Sequence, residues 1–388
     1  MNNLNQATSC YIHIPFCEHI CYYCDFNKVF LKGQPVDEYI QALLKEMRLS
    51  LAKWPMEKCS TLYIGGGTPT ALSAKQLDQL LSGIAQIFPI DSSSEYTIEA
   101  NPGDLTQEKL SVIKNAQINR ISMGVQSFND RLLKKIGRKH TAADVYQSLK
   151  LLEKNQIGNL SIDLIYALPN QTMADFKDSL QQALSFDLPH YALYSLILEN
   201  QTIFMNRARR GHLTFPEQEE EAAMYQLAIE MMEKTGHLQY EISNFAKKGF
   251  ESQHNLVYWN NQHYYGFGAG ASGYLQEKRY INYGPIQHYL KPLRKNQLPI
   301  RTSETLSVKN QMEEEMFLGL RKKDGISLSC FKEKFAQEID DIYGNVIESL
   351  IKQELLKKTG DQLSLTQKGL FLGNEVFEKF LIDDCKRS

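Results

Sequence analysis

The chain has 388 residues, with 43 basic against 45 acidic side chains and a formal charge of −2. At roughly 100–200 residues per domain this means two or three domains, or one large α/β barrel with an appendage. Apolar residues at 43% and charged residues at 23% exclude intrinsic disorder, and the even charge balance gives no bulk electrostatic case for nucleic acid or an anionic membrane.

In chain order, short apolar runs at 9–15, 61–65, 95–100, 120–125, 159–165 and 191–196 predict six strands. Segments of 3.6-residue periodicity lie between them; in the clearest, Val36, Tyr39, Ile40, Leu43, Leu44, Met47 and Leu51 form one apolar stripe. Ser73 and Gln76 have the spacing of a capping box that opens the next helix. Strand–helix alternation implies βαβ units and a parallel sheet. Six repeats fall short of the eight that close a barrel. The fold class expected is therefore α/β, an incomplete parallel (β/α)6 barrel over residues 1–200.

Residues 201–308 are expected to extend that barrel over its open side. They begin with a helix at 217–234 whose acidic first turn suits the helix dipole, followed by a tract rich in Tyr, Asn, His and Gly. Residues 309–388 read as helices ending in a small β-ribbon at 355–370, a winged-helix-like domain. Nine Lys/Arg against eleven Asp/Glu over 325–388 oppose phosphate binding there, so no nucleic-acid partner is expected. The longest apolar stretch, 191–198, is far below the ~18 residues of a membrane span. The first residues show no basic-then-apolar secretory pattern, and a cytoplasmic location is the expectation.

Seven cysteines stand at 10, 17, 21, 24, 59, 330 and 385. Three of them fall in Phe16-Cys17-Glu-His-Ile-Cys21-Tyr-Tyr-Cys24, directly after the first strand. Thiolates at C-x3-C-x2-C can converge on one small inorganic cluster, and three ligands on four irons leave one iron open. Zinc is the competing metal, with His13 or His19 as a fourth ligand. The other four cysteines are isolated and read as buried or indifferent thiols.

The second signal is Tyr63-Ile-Gly65-Gly66-Gly67-Thr68-Pro69, at the end of the second strand. Consecutive glycines let a ligand approach the backbone and expose N–H groups to a carboxylate or phosphate; alone, they also read as a tight turn. Both loops fall at the C-terminal ends of parallel strands, where ligands bind in such folds.

The C-x3-C-x2-C loop followed by GGGTP resembles the radical S-adenosylmethionine superfamily. The fuller series YIHIPFC, GGGTPT, IEANP, GVQSF, IDLIYALP and HNLVYW resembles the oxygen-independent coproporphyrinogen III oxidase branch and its HemW-like heme chaperones. The resemblance implies a 4Fe–4S cluster held by Cys17, Cys21 and Cys24, with S-adenosylmethionine on the fourth iron. It implies cofactor contacts from Tyr11, Tyr23, Gly66, Gly67, Thr68, Glu99, Gln126, Arg138 and Asp163. Glu99 would accept ribose hydroxyls, and Arg138 would pair a carboxylate.

Two departures discriminate within the branch. Phe26 stands where the oxidase has a fourth cysteine, and only ten residues precede Tyr11. Both match HemW-like proteins, which implies a heme carrier serving a membrane respiratory apoprotein, with heme as third cofactor. An electron donor, a dimeric state and peripheral membrane attachment through the partner accompany that reading. The alternative is a coproporphyrinogen III dehydrogenase, so the resemblance leaves enzyme and carrier both open.

His254 opens the motif His254-Asn255-Leu-Val-Tyr258-Trp259, linked in HemW-like proteins to heme handling. An imidazole can ligate heme iron. The same group can equally pack the sheet edge or brace the cofactor site, and His263, Tyr264 and His288 compete for the ligand role. Arg207, Arg209 and Arg210 read as a solvated basic face or as partners for propionates.

Overall fold

The strand–helix alternation of the first half builds one open sheet in the computed structural model, which describes residues 6–382. Cys385 lies outside them. In order come β1 (Ser9–Ile14), the two-residue strands β2 (Phe16–Cys17) and β3 (Val29–Phe30), α1 (Val36–Lys53), β4 (Cys59–Gly66) and α2 (Ala74–Ile87). Next are β5 (Ile90–Ala100), α3 (Gln107–Asn115), β6 (Arg120–Gln126), α4 (Asp130–Lys135), α5 (Ala142–Lys154), β7 (Leu160–Tyr166), α6 (Met173–Leu184) and β8 (His190–Ser195). All six expected strands are present, as β1 and β4 to β8.

Residues beyond 200 add to both edges of that sheet. After α7 (Ile203–Arg209) and α8 (Gln218–Lys234) come β9 (Leu238–Glu241), β10 (Asn244–Ala246), α9 (Gln253–Trp259) and β11 (Tyr265–Phe267). The sheet order is β11-β1-β4-β5-β6-β7-β8-β10-β9. Every pairing from β11 to β8 is parallel, and β10 and β9 are antiparallel. The sheet keeps two edges, so the barrel is not closed by hydrogen bonding.

The helices cover the sheet as their periodicity requires. Val36, Tyr39, Ile40, Leu43, Leu44 and Met47 of α1 are buried, and Leu51 packs against the same core. The Ser73–Gln76 capping box forms at α2. β5 begins five residues earlier than its apolar run, because Ile90 pairs with Cys59 across a bulge in β4. The polar stretch at 91–93 is turned locally by Asp91, which accepts the Ser93 N–H and hydroxyl.

β11 arises from the glycine-rich run after residue 265, which carries no strand pattern. It lies beside β1, with Tyr11 opposite Gly266. Gly268 has φ +99°, and a Cβ there would stand 2.5 Å from the His13 carbonyl oxygen. Only glycine tolerates that conformation and that approach.

Glu46 of α1 anchors the same region. Its carboxyl is buried and accepts from the Gly268 N–H (2.9 Å), the Asn282 amide (2.6 Å) and the Tyr289 hydroxyl (2.5 Å). Burial nevertheless raises its pKa to about 7. A carboxyl raised in the folded state holds its proton when the unfolded chain has lost it. Stability therefore falls as pH climbs from about 4.5 to 7 and is level above, by on the order of 3 kcal/mol. Glu46→Gln is expected to flatten that dependence in urea melts across this range; an unchanged slope would contradict it.

After β12 (Ser272–Leu275), β13 (Lys278–Asn282), α10 (Ile286–Arg294) and β14 (Ile300–Thr305), a second core gathers residues 312–380. Its elements are α11 (Val308–Gly319), β15 (Ile326–Ser327), α12 (Leu328–Phe335), α13 (Ile339–Lys352), β16 (Leu356–Thr359) and β17 (Gln362–Leu365). Two short helices, α14 (Gln367–Phe371) and α15 (Gly373–Glu378), follow, so the expected ribbon over 355–370 ends at Leu365. The chain order from α11 to β17, helix-strand-helix-helix-strand-strand, is that of a winged helix, and the three strands pair as β15-β17-β16. Among the described residues no helix is long and apolar enough to cross a membrane.

Candidate functional site

Because the strands are parallel, their C-terminal ends fall at one end of the sheet, where Gly66, Glu99 and Gln126 stand at the ends of three successive strands and Asp163 lies midway along the next. There a cavity of about 400 Å³ opens. Cys17, Cys21, Tyr23, Cys24, Gly66, Gly67, Thr68, Glu99, Gln126, Arg138 and Asp163 all line it. Two of the expected residues do not. Tyr11 stands behind Tyr63, its ring centre 6.2 Å away, and His254 lies behind the same ring.

The three cysteines are free thiols, and Cys17 is buried. Burial pushes the Cys17 thiol up to about 11 and raises Cys24, with Cys21 adding to both. Metal binding here must displace protons. Thr68 Oγ1 lies 3.8 Å from Cys17 Sγ, and Arg138 Nη1 donates to Cys21 Sγ at 3.5 Å. Among the described residues no three His, Cys, Asp or Glu side chains gather closely enough for a single ion. A four-iron cluster is a larger body and takes its thiolates further apart. Of the two expected zinc partners, His13 has both nitrogens engaged, by the Tyr11 hydroxyl (3.0 Å) and the Asn27 carbonyl (2.7 Å), whereas His19 lines the cavity with the cysteines. The donor set thus fits a cluster.

The glycine stretch works differently from the sequence expectation. Gly66 N–H donates to Glu99 Oε2 (3.0 Å), Gly67 N–H to the Ile14 carbonyl (2.8 Å) and Thr68 N–H to the Phe16 carbonyl (2.9 Å). None is left for an anion. The carbonyl oxygens keep a second lone pair each, so this edge suits an ammonium group rather than a carboxylate. Gly66 has φ +113°, and a Cβ there would meet the His13 ring at 2.5 Å.

Arg138 also departs from expectation. Its Nη1 donates to Asn101 Oδ1 (3.1 Å) as well as to Cys21, its Nη2 donates to the Gly124 carbonyl, and its buried Nε has no partner. The fork is turned toward the cysteine loop, where its positive charge favours thiolates, and no bidentate face remains for a ligand carboxylate.

Glu99 Oε1 accepts the Tyr63 hydroxyl at 2.8 Å. Burial raises its pKa to about 7, and burial raises Asp163 to about 6. Asp163 accepts from Ser122 at 3.1 Å. Gln126 takes φ +68° beside a register shift in β6, a strained conformation of the kind found at ligand sites. Asn101, which the sequence does not mark as a site residue, joins Arg138 to Thr68 Oγ1 (3.0 Å). Its signal was its place in Glu-Ala-Asn-Pro.

His254 is buried. Its Nδ1 bonds Thr61 Oγ1 and its Nε2 the Tyr258 hydroxyl, each at 2.8 Å, and burial, with Arg120, lowers its pKa to about 3. Its ring stacks on Tyr63 at 5.1 Å. In this arrangement it has no coordination position to offer and instead braces α9 against β4. Trp259 carries the Arg321 guanidinium 4.5 Å above its ring. His263 stacks edge-on to Tyr274, and His288 to Tyr283.

The radical SAM superfamily model matches residues 11–183, and the HemN C-terminal domain model matches 306–372. Heme chaperone HemW of Lactococcus lactis is 51% identical, over 98% of this chain and 99% of its own. The chain belongs to the HemW family of radical SAM proteins. Heme chaperone HemW of Bacillus subtilis is 48% identical, over 96% of this chain and 99% of its own. Among solved structures, the coproporphyrinogen III oxidase HemN of Escherichia coli superposes with a TM-score of 0.83 at 21% identity, covering 97% of this chain and 90% of its own; that likeness shows the fold. Membership of the radical SAM family implies a 4Fe–4S cluster and S-adenosylmethionine.

Proposed function

We propose that this chain is a heme carrier built on a radical SAM scaffold, binding heme and passing it to a respiratory apoprotein at the membrane. The observation that carries the reading is near full-length similarity to two proteins named as heme chaperones, at about half identity. The likeness to the oxidase is one of fold, at 21%. Phe26 at the cavity rim, in place of a fourth cysteine, supports the same side.

Cys17, Cys21 and Cys24 would hold the cluster, which when bound supplies an open iron and one-electron chemistry. Arg138 and Asn101 orient Cys21 and Thr68 around it. The edge formed by Gly66, Gly67 and Thr68 would take the ammonium end of S-adenosylmethionine, Glu99 its ribose, and Gln126, Asp163 and Tyr23 the remaining walls. Tyr11 and His254 fix Tyr63 from behind. Residues 1–200 would form the cofactor unit, 201–308 its extension, and 309–388 a winged-helix-like domain with a structural or partner-docking role.

The rival reading, coproporphyrinogen III dehydrogenation, is tested by anaerobic turnover. Cluster-loaded protein, S-adenosylmethionine, a reductant and coproporphyrinogen III are expected to give no decarboxylated product by chromatography. Catalytic product formation would overturn the carrier reading.

A further inference from the structure

The carrier reading, on which this inference rests, leaves the porphyrin without a seat. His254 does not supply one, since both its nitrogens are bonded and its ring is buried. His190 is likewise held, by Ser161 and Tyr240.

The mouth of the cluster cavity is built differently. Large apolar side chains usually turn inward, yet Phe26 is 59% exposed and Ile197 67% exposed, and both line this cavity. They rim one opening rather than scatter over the surface, which is the pattern of an apolar ligand site. Phe30, also exposed, stands opposite Cys17 in the β2–β3 pair.

Positive charge lies alongside. α7 is tied to the cysteine loop by the Phe204 N–H, which donates to the Tyr22 carbonyl at 2.9 Å. The Arg207 guanidinium sits 4.4 Å from the centre of the Tyr22 ring, and Arg209 and Arg210 close the same helix, exposed. Lys28 lines the mouth itself. Asp25 and Glu199 are acidic groups of the same lining, and the α7 arginines stand outside it. His19 lines the mouth too, and among the described residues its ring makes no hydrogen bond.

We infer that heme docks across this mouth, one porphyrin face on Phe26 and Ile197, its propionates toward the α7 arginines, and His19 facing the iron. A flat apolar macrocycle with two carboxylates needs an apolar floor, neighbouring guanidinium groups and a free imidazole. The rim provides all three.

The test is an anaerobic heme titration of the full-length, cluster-loaded chain, followed by Soret absorbance. Phe26→Asp combined with Ile197→Asp is expected to weaken heme binding at least tenfold. Arg207→Glu combined with Arg209→Glu, outside the cysteine loop, should weaken it severalfold, and His19→Ala should move the Soret maximum. Iron and sulfide content verifies each variant. Should wild type bind heme and both rim variants, cluster intact, bind it equally tightly, the inference is overturned while the carrier reading stands. Wild type that takes up no heme would overturn the carrier reading itself.

Discussion

Replacing Cys17, Cys21 and Cys24 together by serine is expected to reduce bound iron and sulfide to background while the chain stays folded. The thiolate is the ligand, and a serine hydroxyl does not ionise in the accessible pH range. The rest of the site is preset for thiolates: Arg138 Nη1 points at Cys21 Sγ and Thr68 Oγ1 approaches Cys17. Those contacts are few and lie at the cavity wall, so their loss leaves the sheet and its core unaffected. Anaerobic reconstitution followed by iron and sulfide analysis reads the outcome. A triple variant retaining both at wild-type levels would remove the metal assignment.

Glu99→Gln is expected to weaken S-adenosylmethionine binding roughly 100-fold. A charged acceptor contributes about 1.5–3 kcal/mol per hydrogen bond, and a vicinal diol presents two donors. The substitution is gentle to the fold, because the amide oxygen can still accept from Gly66 N–H or Tyr63. The raised pKa of about 7 adds a sign. Below it the carboxyl is protonated and a poorer acceptor, so wild-type affinity should rise between pH 6 and 8 and the Gln variant should lack that rise. Calorimetry at the two pH values decides; equal affinities of wild type and variant would dismiss Glu99 as the ribose acceptor.

Much of the scaffold was legible because its signals are local. The six strands, the α1 stripe and the Ser73–Gln76 cap depend on period and on neighbouring residues, and all appear. Short strands supported by distant partners were not. β11 lies against β1 where Gly268 passes the His13 carbonyl, with Gly266 leaving room for the Ser272 backbone of β12, and no apolar run announces it. Among site residues, motif spacing located the cavity but not the use of each polar group. The Gly66, Gly67 and Thr68 N–H groups are taken by Glu99, Ile14 and Phe16, and the Arg138 fork by Asn101, Gly124 and Cys21. Such competition between internal and ligand partners is set by three-dimensional proximity. His254 illustrates it best: a histidine with the right chemistry is saturated by Thr61 and Tyr258, residues 193 and 4 positions away.

Equilibrium heme binding to the cluster-loaded wild-type chain, under strict anaerobiosis, tests the account most directly. A saturable, stoichiometric Soret transition is predicted, one that persists when S-adenosylmethionine is present. Uptake that never saturates, or none at all on protein with verified iron and sulfide, would contradict a heme carrier.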